Sequence, residues 1–320
     1  MRVVSDSGAE VVNLQLIAQQ LVNGLARGSL YALIALGYTL VYGIIELINF
    51  AHGDVFMWGS FIALTIVGAF GLSVTNQVIA GLLPAIGVLI MTVLIAMVCC
   101  AAINVVVERI AYKPLRKAPR LAPLISAIGA SFILEDSAKL WKGNSPIAFP
   151  TIIPAARLSV GGVTITNIDI LAFVVSIVLM FALERFISRT RLGKAMRATA
   201  QDPEAAALMG INIDLTILLT FLLGGALAGA AGVIYSMKIG QAWYITGFSV
   251  GLKAFTAAVL GGIGNIIGAA LGGLLIGVLE SFATNYFGDK WTDIVVFLIL
   301  VLVLVFRPSG LLGQQVPEKV

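Results

Sequence analysis

The chain alternates long apolar runs with short polar segments. Long, mainly apolar stretches occupy 30–45, 55–70, 78–106, 168–186, 215–235, 267–282 and 294–306. Two more, 121–134 and 251–264, are short or broken by glycine, and 11–26 is diluted by Gln15, Gln19, Gln20 and Asn23. An α-helix needs about 20 apolar residues to cross the hydrocarbon of a bilayer. The pattern predicts an all-α fold, a polytopic transmembrane helical bundle with roughly eight to ten spans, some short or broken. A barrel is excluded, because the runs are continuous rather than alternating. No composition shift divides the chain, so 1–320 reads as a single transmembrane domain.

Composition agrees. Hydrophobic residues make up 59% of the 320 and charged residues 11%, where soluble domains carry about a quarter charged. A mean hydropathy of +1.03 cannot be hidden in one soluble core of this size, since a globular surface needs polar cover. The single histidine and scattered acids give no metal cluster and no acid–base constellation, so no catalytic residues, metal or cofactor are expected. Cys99 and Cys100 are neighbours in an apolar run; on a helix they diverge and read as small hydrophobes. Residues 1–15 carry Asp6 and Glu10 and lack a basic-then-apolar layout with a cleavage site, so no removable signal peptide is expected. The net charge of +4 calls for no nucleic-acid partner; its placement follows topology instead.

Lysine and arginine concentrate in loops on the cytoplasmic side of a membrane. One cluster is Arg109, Lys113, Arg116, Lys117 and Arg120; a second is Arg185, Arg189, Arg191, Lys194 and Arg197; Arg307 follows the last run. Threading the spans from 121 onward places all three on one side. The expected location is therefore a bacterial inner (plasma) membrane, multi-pass, with the C-terminus and the 188–214 loop cytoplasmic. The side of the N-terminus depends on whether 11–26 crosses. The opposite, external connection, about 141–167, carries Pro146, Pro150, Pro154 and Gly161-Gly162, and 163–166 reads as a short strand. It reads equally as an external docking cap or a solvated linker.

Two polar or glycine-rich interruptions could carry function. Between the first two long runs lie Glu46, Asn49, His52 and Asp54, with Gly37, Gly43 and Gly53 around them. Polar groups at membrane depth are costly and face a cavity or a partner. Asn49, His52 and Gly53 are thus candidates for a broken helix lining a path or gate; the other reading is a solvated cytoplasmic turn. The second interruption contains Gly261, Gly262, Gly264, Gly268, Gly272, Gly273 and Gly277. Four-residue spacing of small residues predicts close helix packing, while Gly261 and Gly264 are candidates for a gate. Lys253 and Glu280 are the charges nearest these spans, Glu280 either paired in the bundle or near the outer interface.

The segment 188–214 is the most informative. Asp202 is placed to cap a helix that has Pro203 at its first position, Glu204 near its positive end and Gly210 as its stop. The expected helix, 203–209, is either a lever for a cytosolic partner or part of an ordinary solvated loop. Glu204-Ala205-Ala206, three residues and then Gly210 match the EAA-x3-G loop of ABC importer permeases. Gly193-Lys194-Ala195-Met196-Arg197-Ala198 and Gly210-Ile211-Asn212 resemble the branched-chain amino-acid permeases in particular. The blocks 28–33, 36–43, 48–53 and 253–264 resemble the same family, of LivH type, over about 22–313. The Leu-Pro that closes the loop motif in many other ABC permeases is absent.

The resemblance implies a permease that couples to ATPases through Arg197, Asp202, Pro203, Glu204, Ala205, Ala206 and Gly210. It implies a second, LivM-like permease, two cytosolic ABC ATPase subunits and a periplasmic or extracellular amino-acid-binding protein, all acting at the lipid bilayer. No G-x-x-x-x-G-K-[ST] loop occurs in the chain, so ATP hydrolysis is expected on partner chains. The competing reading is an ion-coupled secondary transporter or channel using Glu46, Asp54, Glu135, Asp136 or Glu280 as relays. Such a carrier has no need of the 202–210 loop.

Overall fold

A computed structural model of the chain describes residues 6–72, 81–116, 118–119, 121–307 and 309–313. Lys117 and Arg120 of the first basic cluster, and the start of the 78–106 run, lie outside the described residues. Eleven α-helices dominate: α1 (Asp6–Ile45), α2 (His52–Ala69), α3 (Leu82–Val107), α4 (Leu121–Lys142), α5 (Asn167–Arg189), α6 (Arg191–Gln201), α7 (Pro203–Leu208), α8 (Ile213–Ile239), α9 (Thr246–Gly261), α10 (Ile266–Phe287) and α11 (Asp289–Phe306). Seven of them, α1 to α5, α8 and α10, are long and apolar enough to cross a membrane. α9 is apolar but has only 16 residues, and α11 opens on Asp289, Lys290 and Asp293 before its apolar run.

The ambiguous 11–26 segment and the 30–45 run are one continuous helix of 40 residues, about 60 Å long at 1.5 Å per residue. Its glutamines are used at one end. Gln19 brackets Thr164, donating to its carbonyl at 3.0 Å and accepting from its N–H at 2.7 Å. Thr164 sits in the expected strand β3 (Val163–Thr166), which pairs antiparallel with β2 (Arg157–Val160). Gly161 and Gly162 form the turn with φ of +59° and +84°, the doubly left-handed geometry that tight hairpins require. A second small ladder joins β1 (Ile147–Ala148) to β4 (Gln241–Ala242). Thr166 then starts α5 through a capping box with Asp169. α5 runs from this hairpin end to the α6–α7 end, so the bundle has two chemically distinct poles.

Backbone-to-backbone approach is what lets the central helices pack. α1 and α10 run antiparallel with glycines facing across the seam. A Cβ on Gly28 would stand 2.7 Å from Leu274 Cα, and one on Gly24 2.5 Å from Val278 Cα. On α10 the four-residue spacings separate into two faces. Gly273 and Gly277 meet Ala32 and Gly28 of α1, whereas Gly268 and Gly272 meet Gly261 and Ala257 of α9. α8 is the other central helix, packing on α1, α2, α3, α5 and α6. α3, α4, α5 and α11 turn many large apolar side chains outward, which suits a lipid or protein surround better than water.

Candidate functional site

At one pole, α6 and α7 form an arm. Thr190 caps α6 by accepting from the Gly193 N–H at 3.0 Å, and Gly193 lies against the Ile187 backbone with no room for a Cβ. α6 is thereby folded back onto the end of α5, and it buries Gly193, Met196 and Thr199. Arg197 lies on its exposed side and donates to the Ile187 carbonyl.

Asp202 then caps α7, accepting from the N–H groups of Glu204 at 2.9 Å and Ala205 at 3.0 Å. Pro203 occupies the first helical position, where its missing N–H costs nothing. Gly210, with φ +82°, closes α7. Its N–H donates to Ala207 O at 3.0 Å and that of Ile211 to Ala206 O at 3.1 Å, the paired bonds of a Schellman stop. Ala206 is the buried anchor, whereas Glu204 and Ala205 face out. Leu208 and Met209 beside them are 89% and 83% exposed. Sequence reasoning passed over these two; the available signal was a pair of large apolar residues ending a helix with no run to continue it.

The basic cluster between α3 and α4 is partly used for ties within the chain. Arg116 pairs with buried Glu108 and, at 2.5 Å, with Asp214 at the start of α8, which Lys113 also reaches at 2.9 Å.

The polar interruption at 46–54 is exposed at Glu46 and buried beyond it. α1 stops at Ile45, Glu46 takes φ +53°, and α2 restarts at His52 with Asn49, His52 and Asp54 all buried. Asn49 donates to Asn104 Oδ1 at 3.3 Å and accepts from Tyr112 Oη at 3.3 Å; Asn104 donates to Phe221 O at 2.6 Å. This chain of amides joins the break to α3, to α8 and to the π-turn Glu108–Tyr112 that continues α3. Asn104 stood as a polar residue in an apolar run, which was the one sequence signal for this network.

His52 packs edge-on against Tyr38, with ring centroids 4.7 Å apart, and over Gly37, where a Cβ would collide with the imidazole. Among the described residues no group of three or more metal-ligating side chains forms. Gly53 lies flat on α9: a Cβ there would meet the Gly247 carbonyl and stand 2.9 Å from Gly251 Cα. Asp54 accepts from Ser131 of α4.

α9 is the second interrupted element. Gly261 at its end packs on Gly268, while a Cβ on Gly264, φ +93°, would stand 3.9 Å from Gly43 Cα of α1. Two hollows adjoin this turn. One of ≈ 10 Å³ is lined by Tyr38, Tyr42, Ile48, Asn49, Phe255, Ala258 and Ile263, about the room of one water. The other, ≈ 80 Å³, runs between Thr39, Leu40, Gly43 and Ile44 of α1, Met196, Arg197 and Ala200 of the arm, and Gly264 and Ile266. The predicted path residues are spread along α9. Gly53 meets its first half at Gly247 and Gly251, Asn49 shares the smaller hollow with Ala258 and Ile263, and Gly261 and Gly264 sit at its far end, next to the arm. Glu280 is paired within the bundle, with Lys253 at 2.9 Å.

Comparisons with known proteins fit this architecture. Residues 20–304 match the family described as the permease component of branched-chain amino acid transport systems. The high-affinity branched-chain amino acid permease protein BraD of Pseudomonas aeruginosa is 49% identical over 310 residues, covering 94% of this chain and 97% of that protein. LivH of Escherichia coli K12 is 43% identical over 311 residues, with the same coverage. A probable LivH of Methanocaldococcus jannaschii is 27% identical over 294 residues, covering 89% of each chain. By a match across most of its length and these identities, the chain belongs to the branched-chain amino acid transport system permease family.

Proposed function

We propose that this chain is one permease subunit of an ATP-driven importer for branched-chain or related apolar amino acids, and that it forms a translocation path with a second, LivM-like permease. Two cytosolic ABC ATPases would drive it, and an external binding protein would deliver the amino acid. The observation that carries the reading is α7: a short helix capped by Asp202, stopped by Gly210 and offering Leu208 and Met209 to a partner, in a member of this family. With the arm cytoplasmic, the C-terminus is cytoplasmic too, and the Gln19 end of α1 lies outside beside the β2–β3 hairpin.

Irregular backbone at membrane depth is tolerated where protein buries it or where it lines a cavity. The break at 46–51 and the turn at 262–265 are irregular backbone of this kind, one on either side of the smaller hollow beside α9. Motion of the arm would reach them through the crevice shared by Met196, Ala200 and Gly264, changing which side the path faces.

The test is co-purification with the neighbouring subunits and reconstitution into proteoliposomes. Hydrolysis stimulated by the loaded binding protein, across a panel of amino acids, is the expected result. Uptake that persists with ATP depleted and the proton gradient intact would overturn the reading in favour of an ion-coupled carrier.

A further inference from the structure

The chain doubles back after α11, and residues 309–313 bury little side chain: Leu311 and Leu312 are 38% and 44% exposed. Backbone holds them instead. The Leu311 N–H donates to Leu260 O at 2.8 Å and the Leu312 N–H to Gly261 O at 3.0 Å. Those carbonyls belong to the last turn of α9, whose C=O groups have no N–H donors within the helix. Leu312 O accepts in turn from Asn265 Nδ2 at 2.9 Å, while Asn265 Oδ1 caps α10 by accepting from the Gly268 N–H at 2.9 Å. One amide side chain thus ties the first turn of α10 to a strap that closes the last turn of α9.

The contact points are side-chain-free on both sides. Gly310, φ +72°, lies so close to the turn that a Cβ would stand 2.5 Å from Gly262 N and Val259 O. Gly262, φ +105°, lies as close to Gly313. The turn clamped in this way, 262–265, carries Gly264 against Gly43 and forms one wall of the crevice whose other wall is Met196, Arg197 and Ala200 of the arm. Midway along its length, α9 is fixed to α10 and α11 by Lys253, which pairs with Glu280 at 2.9 Å and Asp293 at 2.7 Å. Against α2 it packs through Gly247 and Gly251, which meet Gly53, with Asp54 and Met57 also against Gly247.

We infer that the 309–313 strap, through Leu311, Leu312 and Asn265, positions the α9–α10 turn so that α9 moves as one body with α10 and α11. Arm motion is then delivered to the Gly53 seam and not lost in unwinding the end of α9. This rests on the permease reading above. The strap residues act through the turn they hold; they are positioning residues.

Asn265→Asp separates the two bonds of the amide. A carboxylate still caps α10 but has no N–H for Leu312 O. Leu312→Pro removes the donor to Gly261 O and is the harsher variant. Each is assembled with its partner subunits, and leucine uptake and ATP hydrolysis are measured in the same proteoliposomes. Asn265→Asp is expected to keep assembly and stimulated hydrolysis within about twofold while leucine moved per ATP falls about fivefold or more, with Leu312→Pro falling further. An unchanged ratio in Asn265→Asp overturns the inference, as does a proportionate fall in uptake and hydrolysis together. If the unmodified assembly shows no ATP-dependent uptake, the permease reading fails instead, independently of the strap.

Discussion

Lys253 of α9 and Glu280 of α10 face each other with Nζ and Oε1 2.9 Å apart, and the same ammonium reaches Asp293 of α11 at 2.7 Å. Glu280 is nearly enclosed, its side chain 7% exposed, whereas Asp293 is 57% exposed. Removing the lysine strands a buried carboxylate, at a cost of about 3 kcal/mol. Lys253→Met should therefore lower the melting temperature of the purified permease, and Lys253→Met with Glu280→Leu should recover much of the loss. A single variant that melts like the parent would show that the pair is not needed.

The Gly53 contact admits no side chain, because its neighbours are the Gly247 carbonyl and Gly251 Cα and backbone cannot step aside. Gly53→Ala is predicted to cost about 1–3 kcal/mol by overpacking and to depress uptake while the chain still inserts. Normal uptake and unchanged thermal stability together would contradict the packing seen here.

At the arm, Asp202→Ala removes the carboxylate that accepts from two backbone N–H groups, worth about 1 kcal/mol of helix stability, and Asp202→Ser should restore most of it. The readout is uptake per ATP in proteoliposomes, with membrane insertion followed by expression level. Changing Glu204 and Gly210 should likewise uncouple transport without abolishing insertion. A doubly substituted loop that transports normally would remove the coupling assignment.

Leu208 and Met209 project from the end of α7 with almost no cover from their own chain. Buried apolar anchors dominate association energetics. Replacing both by Ser is predicted to cut co-purification of the ATPase subunits while leaving the permease fold unaffected by melting. Retention of full ATPase stoichiometry would place the contact elsewhere on the arm.

Much of this was legible beforehand because it depends on local chemistry. The Asp202–Pro203 start and Gly210 stop of α7, the 163–166 strand after Gly161-Gly162, and the apolar runs are written in residues whose own backbone preferences decide them. The break at 46–54 was visible as polarity, but two readings remained, since a solvated turn and a buried joint carry the same residues. Its burial follows from Asn104 and Tyr112, 55 and 63 positions away from Asn49. The 11–26 segment was ambiguous for a related reason. Its glutamines dilute the hydropathy, yet Gln19 is satisfied by the backbone of Thr164.

Sequence by itself determined that this protein is a helical membrane bundle, where α7 starts and stops, and which family it resembles. Those properties follow from hydrophobic runs, caps and turns that act within a few residues. Tertiary structure alone decided that Gly268 and Gly272 meet α9 while Gly273 and Gly277 meet α1, that Lys253 neutralises Glu280, and that residues 309–313 close the end of α9. A glycine or a buried charge states a need for close approach or for a partner. Which partner answers depends on how distant segments pack.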